Sequence, residues 1–170
     1  MDAVLLIARL VVGLAIAAHG AQKLFGWFGG HGLKGTAGFF ESLGFRPGVF
    51  FALAAGLGEL GGGLLTAAGF LGPVGPALII LVMLVAIFTV HWAHGFFASA
   101  NGIELPLMYL TAALPLAFAG PGAYSLDGRL GLIGRFDPVT AWMAIGAAVA
   151  LAVVNVAMRR VAPAPLRTHR

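Results

Sequence analysis

One carboxylate, Glu59, stands among glycines at the centre of an apolar stretch that runs from about Val49 to Phe70. If this stretch crosses a bilayer as a helix, Glu59 lies near the midplane, where a carboxylate must be protonated, paired or exposed to a polar cavity. Gly58 and Gly62 have the small-residue spacing that lets a second membrane helix approach closely. We therefore expect the first helix to meet this glycine seam and to bring a polar partner to Glu59.

The first apolar stretch supplies the candidate partners, with Arg9 near one end and His19 and Lys23 near the other. His19 and Lys23 are four residues apart and share a helix face. Arg9 lies roughly 9 Å from the outer end of its helix, and Glu59 lies roughly 15 Å from the cytoplasmic end of the second helix. A long arginine side chain could bridge the remaining difference in depth between the two residues. We predict an Arg9–Glu59 pair. It either fixes helix register only or forms the wall of a polar cavity for a quinone or another small ligand.

Three histidines, His19, His91 and His94, raise the possibility of haem or metal ligation, because imidazoles from different helices can bind iron. Nothing in their spacing pairs them, and we expect no haem or metal in this chain. An imidazole can also hydrogen-bond a quinone carbonyl or an interfacial backbone carbonyl. The candidate cofactor-binding residues, with quinone as the candidate cofactor, are Glu59, His19, Lys23, Arg9 and His91.

The composition predicts an integral membrane protein. Of the 170 residues, 60% are hydrophobic and only 9% are charged, whereas a soluble protein is about one quarter charged. Apolar runs of about 20 residues, enough for a helix to cross a bilayer, recur along the chain. The alternation typical of a membrane β-barrel is missing from the sequence. The predicted fold class is therefore all-α, an integral membrane helix bundle.

Five apolar stretches are predicted to span the membrane. Between the first two, residues 25–47 carry aromatic residues, glycines and a short amphipathic stretch, 33–43, which is expected either to lie on the membrane surface or to fold back into the bundle. A hydrophilic connection, 124–137, precedes the last span. The predicted spans run from about Ala3 to Leu24, Gly48 to Leu71, Ala77 to Phe97, Leu105 to Ala119 and Pro138 to Met158.

The positive charges predict how the chain is oriented, because basic residues beside the spans are retained in the cytoplasm. One side of the membrane receives only two of the basic residues that flank the spans, Arg129 and Arg135. We predict an outside N-terminus and a basic, disordered cytoplasmic tail, 159–170. The charge pattern fits anionic lipid as a partner, and we expect no nucleic acid. The other side receives Lys23, Lys34, Arg46, Arg159, Arg160, Arg167 and Arg170.

Several of these segments together resemble the DoxX family of small bacterial and archaeal membrane proteins. The resemblance runs in order from about Leu5 to Leu130. The segments that carry it are His19-Gly20-x-x-Lys23-Leu24-Phe25-Gly26-Trp27, Gly44-Phe45, Gly58-Glu59-Leu60-Gly61-Gly62, Met83 to His91, Gly95-Phe96-Phe97, Asn101-Gly102-x-Glu104-x-Pro106-Leu107 and Gly120-Pro121-Gly122-x-x-Ser125-Leu126-Asp127.

The resemblance implies a four-helix membrane core over residues 1–130, with 25–47 as its interfacial segment, and 131–158 then forms an additional fifth span. It also associates the chain with redox, because family members resemble the membrane subunit of a thiosulfate:quinone oxidoreductase or act as membrane partners of oxidoreductase assemblies. We expect a subunit of a redox or respiratory assembly in the prokaryotic inner membrane, alongside other membrane protein subunits, with a quinone site in the bundle.

Two other functions stay open. The chain could be a non-catalytic scaffold or assembly factor whose polar residues serve helix packing, or a small transporter, although no paired broken helices support transport. Catalysis by this chain alone is not assigned to any residue. The connections are short, there is no cysteine to act as a thiolate or cluster ligand, and no cofactor motif is present, so electrons would arrive through a partner.

Overall fold

A computed structural model describes residues 1–160, and all regular structure in that range is helical. The predicted all-α fold class is therefore confirmed. One helix, α4 (Val74–Ala86), continues through a π-turn, Ile87–His91, and a 3₁₀ turn, Trp92–His94. In chain order the α-helices are α1, Asp2–Phe25, α2, Gly32–Ser42, α3, Gly48–Ala68, α4, Val74–Ala86, α5, Glu104–Ala119, α6, Leu126–Arg129, and α7, Pro138–Ala157.

Within residues 1–160, four helical segments are long and apolar enough to cross a membrane: α1, α3, the continuous segment Val74–His94 and α7. The apolar helix α5 is shorter, at 16 residues, and rises about 24 Å. The predicted helical membrane bundle is confirmed, and the five predicted spans agree with these helices to within one helical turn at each end. In the predicted basic tail, residues 161–170 lie outside the described range.

The helix α4 lies at the centre of the bundle and packs against α3, α5 and α7. Over its most apolar window, 56% of the residues of Val74–His94 are buried, compared with 22% for α7. The core around α4 therefore holds the bundle together, while α7 keeps much of its apolar surface exposed. This core includes Ile16, Ile79, Ile80, Met83, Ala113 and Ile145.

Small residues bring α1 and α3 into backbone contact. A Cβ atom added at Gly13 would lie 2.5 Å from the carbonyl oxygen of Gly63, and one added at Gly20 would lie 2.8 Å from Leu60 Cα. Residue numbers rise along α1 as they fall along α3, so the two helices are antiparallel. This register places Glu59 level with the C-terminal half of α1.

The prediction that Gly58 and Gly62 face the first helix is wrong. A Cβ atom at Gly58 would lie 2.8 Å from the side chain of Val82, and one at Gly62 would lie 2.8 Å from Leu78 Cβ, so both glycines face α4. Small residues occur on two faces of α3. The spacing correctly indicated a close helix contact, but it does not tell which neighbour makes that contact.

The short helix α2 folds back onto the bundle, the second of its two predicted placements. It packs against α1 and α3, and it buries Ala37 and Phe40 in a small cluster with Phe45, Phe51 and Ala52. The segment between the first two spans thus closes one end of the α1–α3 pair.

Replacing Gly63 by alanine should destabilise the bundle. The new Cβ would lie 2.6 Å from Ala17 N and closer still to the carbonyl oxygen of Gly13, and these backbone atoms can move only if the helices separate. We expect the free energy of unfolding to fall by roughly 1–3 kcal/mol, measured by thermal unfolding in mild detergent. The matched control is Gly61→Ala, where nothing lies within 4 Å of the added atom, so stability should be unchanged or slightly higher. Equal losses in both variants would contradict this packing.

Candidate functional site

The buried carboxylate of Glu59 is paired with Lys23. Lys23 Nζ lies 2.7 Å from Glu59 Oε1 and 2.6 Å from Oε2, so the ammonium group bridges both carboxylate oxygens. Within residues 1–160 this is the only ion pair closer than 4 Å. Glu59 is only 3% exposed, whereas the Lys23 side chain is 29% exposed. The pair therefore joins a buried group on α3 to a partly accessible one near the end of α1.

The predicted Arg9–Glu59 pair is wrong. Arg9 instead lies beside Gly69, where an added Cβ would collide with the guanidinium group. Gly69 is roughly 15 Å further along α3 than Glu59, at 1.5 Å per residue. The physical reason is the antiparallel register of α1 on α3, which brings Lys23, and not Arg9, level with the carboxylate.

Arg9 belongs to a network of hydrogen bonds at the opposite end of the bundle. Its guanidinium group donates to the carbonyl oxygen of Pro121 at 2.6 Å and to that of Tyr124. Nearby, Asp127 is 0% exposed and accepts hydrogen bonds from two backbone N–H groups of the α3–α4 turn, at 3.2 and 2.8 Å. These bonds hold α1 and the α3–α4 turn to the connection after α5. The sequence placed Asp127 in a hydrophilic connection and gave no sign of its burial.

A cavity of about 110 Å³ lies beside the Glu59–Lys23 pair, between α1, α3, the α4 segment and α5. Apolar side chains, including Met83 and Pro106, form part of its wall. Four of the five predicted binding residues line this cavity, and Arg9 does not. The polar residues of the lining are His19, Lys23, Glu59, His91 and Tyr109.

Two hydrogen bonds in series fix the ring of His19. Gln22 Nε2 donates to the carbonyl oxygen of Phe28 at 3.1 Å, and Gln22 Oε1 lies 3.2 Å from His19 Nδ1. The ring of Tyr109 packs edge-on against His19, with centroids 5.8 Å apart and an interplanar angle of 80°. The imidazole is therefore held from the α1–α2 turn on one side and by α5 on the other.

His91 reaches the cavity from the end of the π-turn. Its Nδ1 atom lies 2.8 Å from the carbonyl oxygen of Asn101, in a connection closed by a 3.0 Å bond from Ile103 N to Gly95 O. A π-turn inside a helix is rare and is frequent at functional sites. The contact with a backbone carbonyl, one of the predicted roles of His91, occupies one ring nitrogen and leaves the other edge of the ring available.

A second and larger cavity, of about 450 Å³, lies on the α1–α2 side of Lys23. Its lining includes Gln22, His31 and Thr36, and the Thr36 hydroxyl donates to the carbonyl oxygen of Lys23 at 3.1 Å. Because Lys23 lines both cavities, its side chain lies between them.

Sequence reasoning missed two residues of the site, Gln22 and Tyr109. Gln22 follows His19 by three residues, which places both on one helix face, and this spacing could have identified it. Tyr109 is one of only two tyrosines in the chain, and a hydroxyl group inside an apolar span is a usable signal. Its contact with His19 depends on the packing of α5 and could not be found from sequence.

Replacing Arg9 by leucine should destabilise the protein, because two carbonyl groups would lose a charged donor at a buried position. Hydrogen bonds to charged groups contribute about 1.5–3 kcal/mol each. We expect the free energy of unfolding, measured by thermal unfolding, to fall by at least the contribution of one such bond. The control is Arg135→Leu, at an exposed position in the same connection, which should leave stability nearly unchanged. Similar small effects in both variants would show that the Arg9 network contributes nothing.

Comparison with protein-family models matches residues 4–92 to the family described as DoxX. The matched region covers just over half of the 170 residues. It includes the cavity residues His19, Lys23, Glu59 and His91, whereas Tyr109 lies beyond it. Comparison with curated proteins and with solved structures gives no match.

Proposed function

Because the chain belongs to the DoxX family of integral membrane proteins, we propose that it is the membrane subunit of a redox assembly and binds a quinone head group. The observation that carries this proposal is the cavity in which the Glu59–Lys23 pair, two imidazoles and a tyrosine meet. A charged pair inside a membrane bundle is costly to build, and such groups commonly mark a site. Here the pair lines an open space and is not sealed by packing.

The lining of the cavity suits a single planar ring. A cavity of about 150 Å³ is known to hold benzene, and this one, at about 110 Å³, is smaller, so a bound quinone ring would extend beyond it. Apolar walls such as Met83 and Pro106 would contact the faces of the ring, while His19, Lys23 and His91 would meet its oxygen atoms. An apolar tail would then leave between the helices into the lipid.

The proposal requires a partner subunit, because the sequence has no cysteine and no cofactor motif to deliver electrons. The exposed face of α7 is a candidate surface for this partner. Trp142, Met143 and Val153 on this helix are 64%, 70% and 63% exposed. In a bilayer such a face contacts either lipid or another membrane helix.

The Glu59→Gln variant tests the site. Glutamine has nearly the same size but cannot pair with the Lys23 charge, so we expect binding of a short-chain benzoquinone to weaken by about tenfold or more. Binding would be measured by equilibrium dialysis with protein purified in mild detergent. The control His94→Leu alters an exposed histidine whose Nδ1 contacts the carbonyl oxygen of Val90 at 2.8 Å, outside the cavity, and it should bind like the wild type.

Unchanged benzoquinone binding by Glu59→Gln together with lower thermal stability would assign the ion pair to helix packing alone. A wild-type protein that binds no benzoquinone and co-purifies with no quinone would favour the scaffold or assembly-factor alternative.

We also propose that the N-terminus lies outside a prokaryotic inner membrane and the C-terminus in the cytoplasm. The end of the bundle with the cavity also carries Lys34, Arg46 and Arg159, whereas the opposite end carries Arg129 and Arg135, which supports this orientation. A C-terminal reporter that is active only in the cytoplasm should give signal. Signal from a reporter that is active only outside would overturn the orientation and leave the quinone proposal standing.

A further inference from the structure

We infer that the cavity is a hydrogen-bond-accepting site and takes a hydroquinone, a ring that carries two hydroxyl groups, in preference to the corresponding quinone. The inference rests on the proposed function, since it specifies which form of the ring the same cavity recognises. The observation behind it is that Nδ1 of both cavity histidines, His19 and His91, contacts a group that can only accept a hydrogen bond.

The bonds around Gln22 decide the proton position on His19. The carbonyl oxygen of Phe28 can only accept, so the amide nitrogen of Gln22, and not its oxygen, must face it at 3.1 Å. The amide oxygen therefore faces His19, 3.2 Å from Nδ1. Because this oxygen also only accepts, Nδ1 carries the hydrogen.

The proton position on His91 follows from a single contact. Its Nδ1 lies 2.8 Å from the backbone carbonyl oxygen of Asn101, which accepts and cannot donate, so this Nδ1 also carries the hydrogen. In a neutral imidazole the second nitrogen, Nε2, then has a lone pair and no proton. Neither Nε2 atom forms a hydrogen bond within residues 1–160, and both rings line the cavity.

When the remaining polar groups are included, hydrogen-bond acceptors around the cavity still outnumber hydrogen-bond donors. The carboxylate of Glu59 can only accept, and Lys23 directs hydrogen bonds to both of its oxygen atoms, which leaves at most one of the three ammonium hydrogens for a ligand. Tyr109 can donate or accept. A quinone offers only carbonyl oxygens and would place them against imidazole lone pairs, whereas a hydroquinone donates two hydroxyl hydrogens to such atoms. Leaving one such polar contact unmade corresponds to about a tenfold difference in affinity.

The first experiment reads the tautomers directly. The full-length protein with ring-¹⁵N-labelled histidine is studied by NMR in detergent at mildly alkaline pH, and signals are assigned with the His19→Gln and His91→Gln variants. We expect both residues to show a protonated Nδ1 and an unprotonated Nε2. A protonated Nε2 on either neutral ring would overturn the inference.

Gln22 is a positioning residue for His19, and its replacement tests that role. Gln22→Met keeps the length of the side chain and removes the acceptor, so the His19 signals should move toward a mixture of tautomers. The His91 signals should stay unchanged, because the Asn101 carbonyl is still present. A purely structural role for Gln22 would leave the tautomer of His19 as it is in the wild type, and that result would contradict the assignment.

The second experiment compares the affinity of a short-chain benzoquinol with that of its benzoquinone under anaerobic conditions. We expect the wild type to bind the quinol about tenfold more tightly, and this ratio should fall in Gln22→Met. The His94→Leu control should keep the wild-type ratio, because His94 does not line the cavity.

The outcomes separate the two proposals. Equal binding of the two forms, or tighter binding of the quinone, would overturn the inference and leave the quinone site in place. Failure of both forms to bind would overturn the proposed function and the inference with it. The NMR result needs no ligand and reports on the two histidines in either case.

Discussion

The need to pair one buried carboxylate, Glu59, organises the end of the bundle that contains the cavity. Glu59 is almost completely enclosed by helices, and a carboxylate in such surroundings is tolerated only beside a cation or a polar space. Lys23 meets the first need from α1, and the adjoining cavity meets the second. The contact requires α1 and α3 to lie close together in a single register, which the glycines of both helices make possible.

The two ends of the bundle use buried charge differently. At one end Arg9 and Asp127 bind backbone groups of connecting segments, so their charges hold loops to helices. At the other end Lys23 and Glu59 bind each other beside an open space. In the first arrangement Arg9 Nε is buried without a hydrogen-bond partner within residues 1–160, although the other guanidinium nitrogens are bonded. In the second, the paired groups line a cavity.

The fine geometry of the site depends on residues outside it. The ring of His19 is oriented by Gln22 and the Phe28 carbonyl, and the ring of His91 by the Asn101 carbonyl. Turns of the backbone therefore supply the contacts that hold Nδ1 of each imidazole. Such supporting contacts decide whether a site donates or accepts hydrogen bonds, although Gln22, Phe28 and Asn101 do not themselves line the cavity.

The sequence by itself determined the helical membrane class, the approximate ends of the five apolar helices and the position of Glu59 inside one of them, because these depend on hydropathy over a whole turn or more. It also marked His19, Lys23 and His91 as polar residues of apolar stretches. Only the tertiary structure decided that Lys23 and not Arg9 pairs with Glu59, that Gly58 and Gly62 face α4, and that Tyr109 contacts His19. These facts depend on helix register and on which faces meet, and spacing within one helix contains no information about either.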